Sequence, residues 1–322
     1  MSSISQLSPS EIVARDRAAG TDAVAADAVE GARRRRFPAW LALAVPTAIY
    51  FGIQLSSLLV FFTGVTAAAL ALCAATFFVR LFAITGVYHR YFSHRTYRTS
   101  RVVQFLLAVV GASAVQKGPL WWASVHRTHH SDSDGPGDPH SPRRGFWHAH
   151  QGWILDDRWD AVREERIKDL TRYPELVWLD RWHFLPPLAL AVLCYVVGGF
   201  TGLVWGFAVS TTLAWHATYS INSLAHRFGS VRFDTGDDSR NNFWLALLTL
   251  GEGWHNNHHY YQSCARQGLY WWEIDMTYYG LLLLRALGLI WDLHPVPARL
   301  LARDARSPRA TPSPASRDGA AR

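Results

Sequence analysis

Histidine is the residue type whose spacing in this chain points most directly to chemistry. Three short segments carry histidines three, four or five positions apart: His-Arg-Tyr-Phe-Ser-His, His-Arg-Thr-His-His and His-Asn-Asn-His-His. They contribute His89, His94, His126, His129, His130, His255, His258 and His259. On a helix, positions i, i+3 and i+4 share one face. Each His-x-x-His-His box is therefore expected to aim three imidazoles at one point.

The spacing of His89 and His94, and the presence of His226, lead to two further expectations about the metal site. The His89/His94 pair spans five positions, so it requires a helix end or two different targets. His226, in the segment Asn-Ser-Leu-Ala-His, offers a ninth imidazole just after an apolar stretch. Nine converging imidazoles are too many for one ion and suit two. Neutral imidazole is a good ligand for zinc, copper, iron and nickel.

Several kinds of metal site are disfavoured by the rest of the sequence. Structural zinc sites are four-coordinate and rich in cysteine, whereas Cys73, Cys194 and Cys264 show no paired or metal-like spacing. The His-Glu-x-x-His segment of zinc proteases is absent, and so is the carboxylate-rich ligand set of soluble di-iron bundles. Six further histidines are expected to be ordinary solvated or hydrogen-bonded residues: His140, His148, His150, His183, His216 and His294.

The elements that must position these histidines are apolar helices. Hydrophobic residues make up 49% of the chain and charged residues 18%, against about a quarter charged in soluble domains. Neither Phe37 to Val79 nor Phe184 to Tyr219 contains an Asp, Glu, Lys or Arg. A membrane span needs about 20 apolar residues, so each stretch fits two spans. We expect an all-α integral membrane fold with four transmembrane helices in two hairpins, at about 38–56, 62–85, 185–200 and 202–220. The hairpins should turn near 56–63 and 198–202.

Charge sets the expected orientation of these spans. The run Arg33 to Arg36 precedes the first span, which places the N-terminus in the cytoplasm by the positive-inside rule. Four spans return the chain to that side, so the loop 86–183 and everything after Tyr219 should form a cytoplasmic helical cap with the histidines. The excess of basic residues is thus interpreted as a signal of membrane topology and not as a nucleic-acid-binding surface. Residues 1–36 and 303–322 are expected to be a disordered arm and tail around one membrane domain, 37–302.

This ordered set of motifs resembles the membrane fatty-acid desaturases, in particular the stearoyl-CoA desaturase-like group. The resemblance runs from about Pro38 to Pro297. It is carried by the segments 88–94, 122–130, 138–146, 222–226 and 251–259. It implies that the nine histidines are iron ligands, with Asn222 holding one iron through a water. It also implies that Gln116, Trp122 and Thr218 line a bent acyl tunnel.

The activity implied by the resemblance is oxygen-dependent insertion of a cis double bond, at the ninth position, into a saturated acyl chain carried by CoA. The cofactors would be two iron ions, with O₂ as co-substrate, in the bacterial cytoplasmic membrane. The C–H bonds of an unactivated methylene are neither acidic nor basic, so acid–base catalysis cannot break them. A redox metal must therefore supply the oxidising species. A narrow apolar tunnel would fix which carbons react.

Two departures from the family's pattern limit how much of the family's function can be assigned to this chain. The fused haem domain with its His-Pro-Gly-Gly motif is absent, so an external electron donor, a ferredoxin or small cytochrome, is expected. The segment Gln116 to Trp121 looks bacterial and differs from the animal acyl-CoA enzymes, which leaves CoA, acyl-carrier protein and intact lipid open as the acyl carrier. The third box begins with His255 in place of Gln, which argues against front-end desaturases.

Charged residues near the boxes complete the predicted site. Candidates for carboxylates that orient the ligand imidazoles are Asp138, Glu252, Asp237 and Asp238. Arg143 and Arg144 could bind the phosphates of CoA or of a lipid headgroup, or serve as interface anchors. Two alternative functions stay open, a histidine-box membrane hydroxylase and a metal transporter or haem electron carrier. A transporter would place ligands near the bilayer centre, where only His216 is expected.

Overall fold

The structure is a computed structural model that describes residues 39–301 apart from position 299. The predicted disordered arm and tail lie outside the described residues. The chain divides into two compact units, Met1–Phe51 and Gly52–Arg322. All predicted site residues belong to the second unit, while the described part of the first unit is the beginning of helix α1.

Helices make up most of the described chain. In chain order the α-helices are α1 (Ala39–Ser56), α2 (Val60–Thr63), α3 (Ala67–Phe82), α4 (Arg101–Ala112), α5 (Pro119–Ser131), α6 (Phe146–His150), α7 (Lys168–Thr171), α8 (Pro174–Arg181), α9 (Leu185–Gly202), α10 (Ser210–Ser223), α11 (Phe243–Leu248), α12 (His255–Tyr260) and α13 (Met276–Ala286). Two segments, Ala83–Ser93 and Leu203–Val209, are π-helical. Strands β1 (Arg98–Thr99) and β2 (Ile290–Trp291) pair antiparallel.

Three helical runs are long and apolar enough to cross a membrane. They are Ala44–Thr63, Ala67–Ser93 and Leu185–Ser223. Large side chains on these runs are open to the surroundings; Phe61 and Phe62 are 81% and 85% exposed. An apolar surface of this kind fits contact with lipid better than contact with water. The helical class and the apolar helices agree with the predicted membrane fold, and the four crossings themselves stay a prediction.

The longest of these runs doubles back on itself at Gly199. This glycine has φ 60° and ψ −151°, outside the helical region. A Cβ built on Gly202 would lie 2.3 Å from the carbonyl oxygen of Cys194, and one on Gly206 would lie 2.9 Å from its Sγ. In one straight helix those pairs would be about 12 and 18 Å apart. The run therefore consists of two antiparallel arms, and their reversal falls inside the turn predicted at 198–202.

The other predicted boundaries differ in two places. The first turn was expected at about 56–63, but those residues are helical and the break falls at Gly64, which has φ 67°. Gly64 breaks the helix because glycine adopts this conformation without a steric penalty, and Thr66 caps α3 by accepting from Ala69 N–H. The second span was expected to end at Thr85, but the helix continues to Ser93, and its polar residues there are buried by neighbouring parts of the chain.

A buried hydrophobic core surrounds the π-helical end of this second run. It joins residues of that segment, of helices α4, α5, α7, α8 and α13, and Ile167. The buried members include Tyr88, Phe92, Ala108, Leu120, Ile167, Leu170, Leu176 and Leu281. The apolar run therefore ends inside this core, and His89 is carried on it.

Candidate metal centre

All nine predicted ligand histidines meet at one place, where they form two groups. The five-histidine cluster consists of His89, His94, His126, His130 and His258. The four-histidine cluster consists of His129, His226, His255 and His259. Within each cluster, one nitrogen from every imidazole lies within 4.8 Å of the others. Two neighbouring sites could thus each hold a metal ion.

Each His-x-x-His-His box serves both clusters. On helix α5, His126 and His130 join the five-histidine cluster, whereas His129 joins the other. On helix α12 the assignment is reversed, since only His258 joins the five-histidine cluster. The expectation that a box aims at one point is therefore wrong. At 3.6 residues per turn, positions i and i+4 differ by about 40°, but i+3 and i+4 differ by about 100°.

The π-helical segment explains how His89 and His94 reach the same cluster. The backbone N–H of His94 donates to the carbonyl of His89 at 3.3 Å, a five-residue hydrogen bond. Such a π turn places residues five apart on one side of the helix. The two ring centroids lie 4.9 Å apart. Of the two alternatives left by the sequence, the helix end is the correct one.

The Nε2 atoms of the imidazoles point at one another. In the five-histidine cluster they lie 3.0 Å apart for His89 and His258 and 2.9 Å apart for His94 and His126. In the four-histidine cluster the separation is 2.9 Å for His226 and His255. A convergence of lone-pair-bearing nitrogens is unfavourable without a cation between them, so the donor set fits a metal.

Carboxylates on the opposite ring nitrogens fix this orientation. The Nδ1–oxygen contacts are His129–Asp138 (2.9 Å), His226–Asp134 (3.1 Å), His259–Asp237 (2.7 Å) and His89–Glu252. A carboxylate accepts a hydrogen bond from Nδ1–H, so each of these imidazoles is held in the tautomer that leaves the Nε2 lone pair free. Metal-binding histidines typically have such partners.

The structure thus brings three of the four predicted carboxylates against ligand imidazoles. Asp238 is the exception, and its predicted role is wrong. Its side chain pairs with Arg143 at 2.9 Å, because the turn directs the neighbouring Asp237 inward instead. Asp134, which the sequence interpretation missed, contacts His226 and also accepts the backbone N–H of Asp238 at 2.6 Å. Its only local signal is its position four residues before Asp138.

A buried network supports Glu252 in the five-histidine cluster. Arg90 donates to Glu252 at 3.0 Å and to Asp275 at 2.9 Å, and the amide of Gln267 donates to Glu252 at 3.0 Å. All four side chains are buried. Sequence reasoning missed Arg90, although it directly follows His89. Asp275 and Gln267 gave no signal, since they lie far from the boxes in the chain.

The environment keeps most of these imidazoles neutral. Burial lowers the pKa values of a set of ligand histidines well below the usual value, and neighbouring imidazoles lower them further: His94, His126, His130, His255 and His258. Burial lowers the pKa of His259 to about 4. Burial also opposes protonation of His129, but Asp138 outweighs it and raises this pKa. Neutral imidazole is the form that binds metal.

An apolar pocket adjoins both clusters. Its polar side includes His89 and His126 from one cluster and His129 and His255 from the other. Its other walls are formed by Leu81, Ile84, Thr85, Trp122, Thr218, Ile221 and Asn222, among others. The amide of Gln116 donates to Thr218 at 3.1 Å and accepts from the indole of Trp122 at 3.3 Å. Gln116 therefore links the two other predicted tunnel residues, Trp122 and Thr218, which line this pocket.

Other predicted residues have simpler surroundings. Asn222 lines the pocket one helical turn before His226, and its role through a water stays a prediction. Arg143 pairs with Asp238, and Arg144 donates to the carbonyl of Pro136 at 2.7 Å. Both arginines are exposed and have partners within the protein, so their phosphate-binding role also stays a prediction.

The histidines outside the two clusters differ in their surroundings. His140 is not an ordinary surface residue, because its ring is buried and stands 4.3 Å from that of His129, beside Asp138. Its imidazole was missed because its spacing matches none of the boxes. His150 and His216 form a hydrogen bond with each other at 2.9 Å, as expected of ordinary residues.

The structure combines apolar helices of membrane length with nine imidazoles in two adjacent groups that could hold metal ions. Comparison with known proteins identifies its family. The family model described as fatty acid desaturase matches residues 63–282. That range contains both histidine clusters and more than half of the chain. The chain belongs to the fatty acid desaturase family.

Curated relatives carry the same activity in their names. The chain is 41% identical over 232 residues to an acyl-CoA 5-desaturase, AL21, of Anemone leveillei, covering 69% of this chain and 72% of that protein. It is 42% identical to a chloroplastic palmitoyl-monogalactosyldiacylglycerol delta-7 desaturase of Arabidopsis thaliana, over 66% of this chain and 58% of that protein. It is 40% identical to an sn-2 palmitoyl-lipid 9-desaturase of a Nostoc species, over 65% and 76%.

Proposed function

We propose that this chain is an oxygen-dependent fatty-acyl desaturase that inserts a cis double bond into a saturated acyl chain, using two iron ions and an external electron donor. The observation that carries the proposal is the pair of histidine clusters facing one apolar pocket. Family membership supports the reaction type, since the curated relatives named above are all desaturases.

The residues that would hold the iron ions are the nine clustered histidines. In this proposal the five-histidine cluster holds one ion, and the four-histidine cluster with Asn222, through a water, holds the other. When bound, the iron pair would supply the oxidising power for cleavage of unactivated C–H bonds, drawn from O₂ and the donor's electrons. Asp134, Asp138, Asp237 and Glu252 keep the Nε2 lone pairs aimed at the ions.

The remaining work of the protein is to position the substrate. The pocket walls at Leu81, Ile84 and Ile221 exclude water from the acyl chain, and the Trp122–Gln116–Thr218 hydrogen bonds fix the shape of one wall. The methylenes to be oxidised would lie against His89, His126 and His129. Correct placement is itself a large contribution to rate. No residue of the chain needs to act as an acid or base toward the carbon.

Substrate and position follow from the resemblance and the relatives together. We propose reaction at the ninth position, which the name of the Nostoc relative supports. Acyl-CoA is the proposed carrier, with an acyl-lipid as the alternative, because the relatives include both kinds. The electron donor would be a ferredoxin or small cytochrome, and the location the bacterial cytoplasmic membrane with the site on the cytoplasmic side.

The direct test is expression in a host that lacks unsaturated fatty acids, with the lipids analysed by mass spectrometry. The expected result is a new monounsaturated acyl chain, with the double bond at the ninth carbon. A hydroxylated product would instead identify a hydroxylase. Absence of both products, from membranes that contain the folded, iron-loaded protein and a working donor, would contradict the proposal.

A further inference from the structure

A buried arginine lies inside the second apolar run, away from the histidine clusters. Arg80 on helix α3 is 1% exposed. Its guanidinium donates to Thr211 Oγ1 at 2.6 Å, to Ser210 Oγ and to the carbonyl of Ser113 at 3.4 Å, and its Nε donates to the carbonyl of Thr76 at 3.0 Å. Among the described residues it forms no ion pair with a carboxylate. Ionisable groups in membrane segments are costly and usually functional.

The position of Arg80 relates it to the pocket. Arg80 precedes Ile84 by four residues on the second helical run, and Thr211 precedes Thr218 by seven residues on α10, so each pair shares a helix face. Ile84 and Thr218 both line the pocket. His89 and Asn222 follow farther along the same helices. The Arg80–Thr211 contact therefore lies on the side of the pocket away from the metal centre, about 10 Å below Thr218 along the helix.

The surrounding contacts hold this arginine rigidly. Next to Ser113, the indole N–H of Trp215 donates to the carbonyls of Ala114 and Val115, at 3.1 Å each. Gln116 then bonds Thr218. Residues 114–116 are thus bonded to α10, and Ser113 is bonded to Arg80 itself. An apolar chain end that displaced the guanidinium would have to break several buried hydrogen bonds, which is costly when they are not replaced.

We propose that Arg80, Ser210 and Thr211 form a polar floor that closes the deep end of the acyl pocket and limits the length of the acyl chain beyond the new double bond. This inference rests on the proposed function and deepens it by naming the residues that set chain length. Burying a hydrocarbon end against an immobile cation is unfavourable, so longer chains are rejected. The distance from the carboxyl end to the metal centre is set elsewhere, and the floor leaves the double-bond position unchanged.

The test compares Arg80→Ala with the wild type in cells supplied with saturated fatty acids of increasing length. Removing the side chain should open space below Thr218. The ratio of long to short unsaturated products should rise about tenfold, as expected when methylenes gain a place in an apolar pocket. The double bond should stay at the same carbon. The matched control is Arg98→Ala, an exposed arginine 75% accessible at its side chain, which should leave the ratio unchanged.

A binding measurement separates this inference from the proposed reaction. Saturated fatty acids of increasing length are added to the purified wild type and variants, and the thermal stabilisation is measured. The optimum length should increase in Arg80→Ala and stay at the wild-type value in Arg80→Lys. Arg80→Met fills more of the space than Arg80→Ala and serves as a second variant if the alanine variant does not fold. It should give a smaller increase in the optimum chain length. An optimum that moves in neither the alanine nor the methionine variant overturns the floor, whether or not the protein desaturates.

Discussion

The two histidine clusters differ in the carboxylates that surround them. Three of the four imidazoles in the four-histidine cluster have a carboxylate on Nδ1, supplied by Asp134, Asp138 and Asp237. The five-histidine cluster has one such carboxylate, Glu252, which it shares with Arg90. A bound cation would therefore have three nearby carboxylates at one site, and one carboxylate with a fifth neutral ligand at the other.

This difference predicts unequal responses to substitution. Loss of one ligand leaves three imidazoles in one cluster but four in the other. Loss of one carboxylate from the four-histidine cluster affects a single imidazole. Loss of Glu252 affects His89 and also the buried hydrogen bonds with Arg90 and Gln267. Both clusters face the same pocket, so the proposed reaction would use both. Iron content would then show which cluster a substitution has damaged.

The largest effect is expected for His129→Ala. It removes one of only four ligands and leaves Asp138 buried without its partner. Desaturation should be lost and iron content should fall, while membrane insertion stays intact. The control is His148→Ala, outside both clusters. Iron content and product formation are measured on the same membranes, and full activity with normal iron would refute the ligand assignment.

The next effect is expected for Glu252→Gln, which removes the one carboxylate of the five-histidine cluster. Arg90 loses one of its two buried acidic partners, and breaking a buried ion pair costs about 3 kcal/mol or more. Thermal denaturation should show a clear loss of stability, together with loss of one iron. Glu175→Gln breaks an exposed pair with Arg101 and should leave both quantities unchanged. Equal stability of the two variants would contradict the network.

Asp134→Asn should have a smaller effect, confined to the four-histidine cluster. The amide still contacts His226 but no longer carries a negative charge beside the site of the cation. Loss of such a partner typically lowers metal affinity by 10- to 100-fold. Chelator titration measures this loss, and Asp238→Asn is the matched control because Asp238 faces Arg143 instead. Equal chelator sensitivity of both variants would remove Asp134 from the site.

Thr218→Val should give the smallest effect. The substitution keeps the volume but removes the hydrogen bond from Gln116, worth about 1 kcal/mol. Iron content should be unaffected, while the chain-length or positional preference of the products should shift modestly. Substitution of Thr218 by the bulkier Phe, or of Trp122 by the smaller Ala, should shift the preference further. An unchanged product profile in both variants would exclude these residues from the acyl pocket.

Local spacing accounts for what the sequence predicted and for what it did not. The nine histidines were found because helical spacing brings them together within short segments. Their division between two clusters depends on the angle of about 100° between positions i+3 and i+4. The prediction treated both positions as lying on the same helix face and therefore missed this division. Asp237 and Asp238 are adjacent and chemically alike, so only the path of the turn decides which one faces His259.

Long-range contacts were beyond the sequence. Asp275 meets Arg90 across 185 positions and Arg80 meets Thr211 across 131, and neither pair has a spacing rule. The apolar stretches predicted the helical runs well. Their ends were less predictable, because polar residues such as those from Tyr88 to Ser93 can extend a helix when neighbouring helices bury them.

The central claim is that each cluster binds one iron ion. Elemental analysis of the purified wild type, with His129→Ala and His130→Ala as one variant from each cluster, tests it most directly. The account predicts two iron ions per folded chain in the wild type and a loss of one in His129→Ala, with a smaller loss in His130→Ala, where four imidazoles remain. A wild type that binds no iron, binds haem, or keeps full iron in His129→Ala would contradict it.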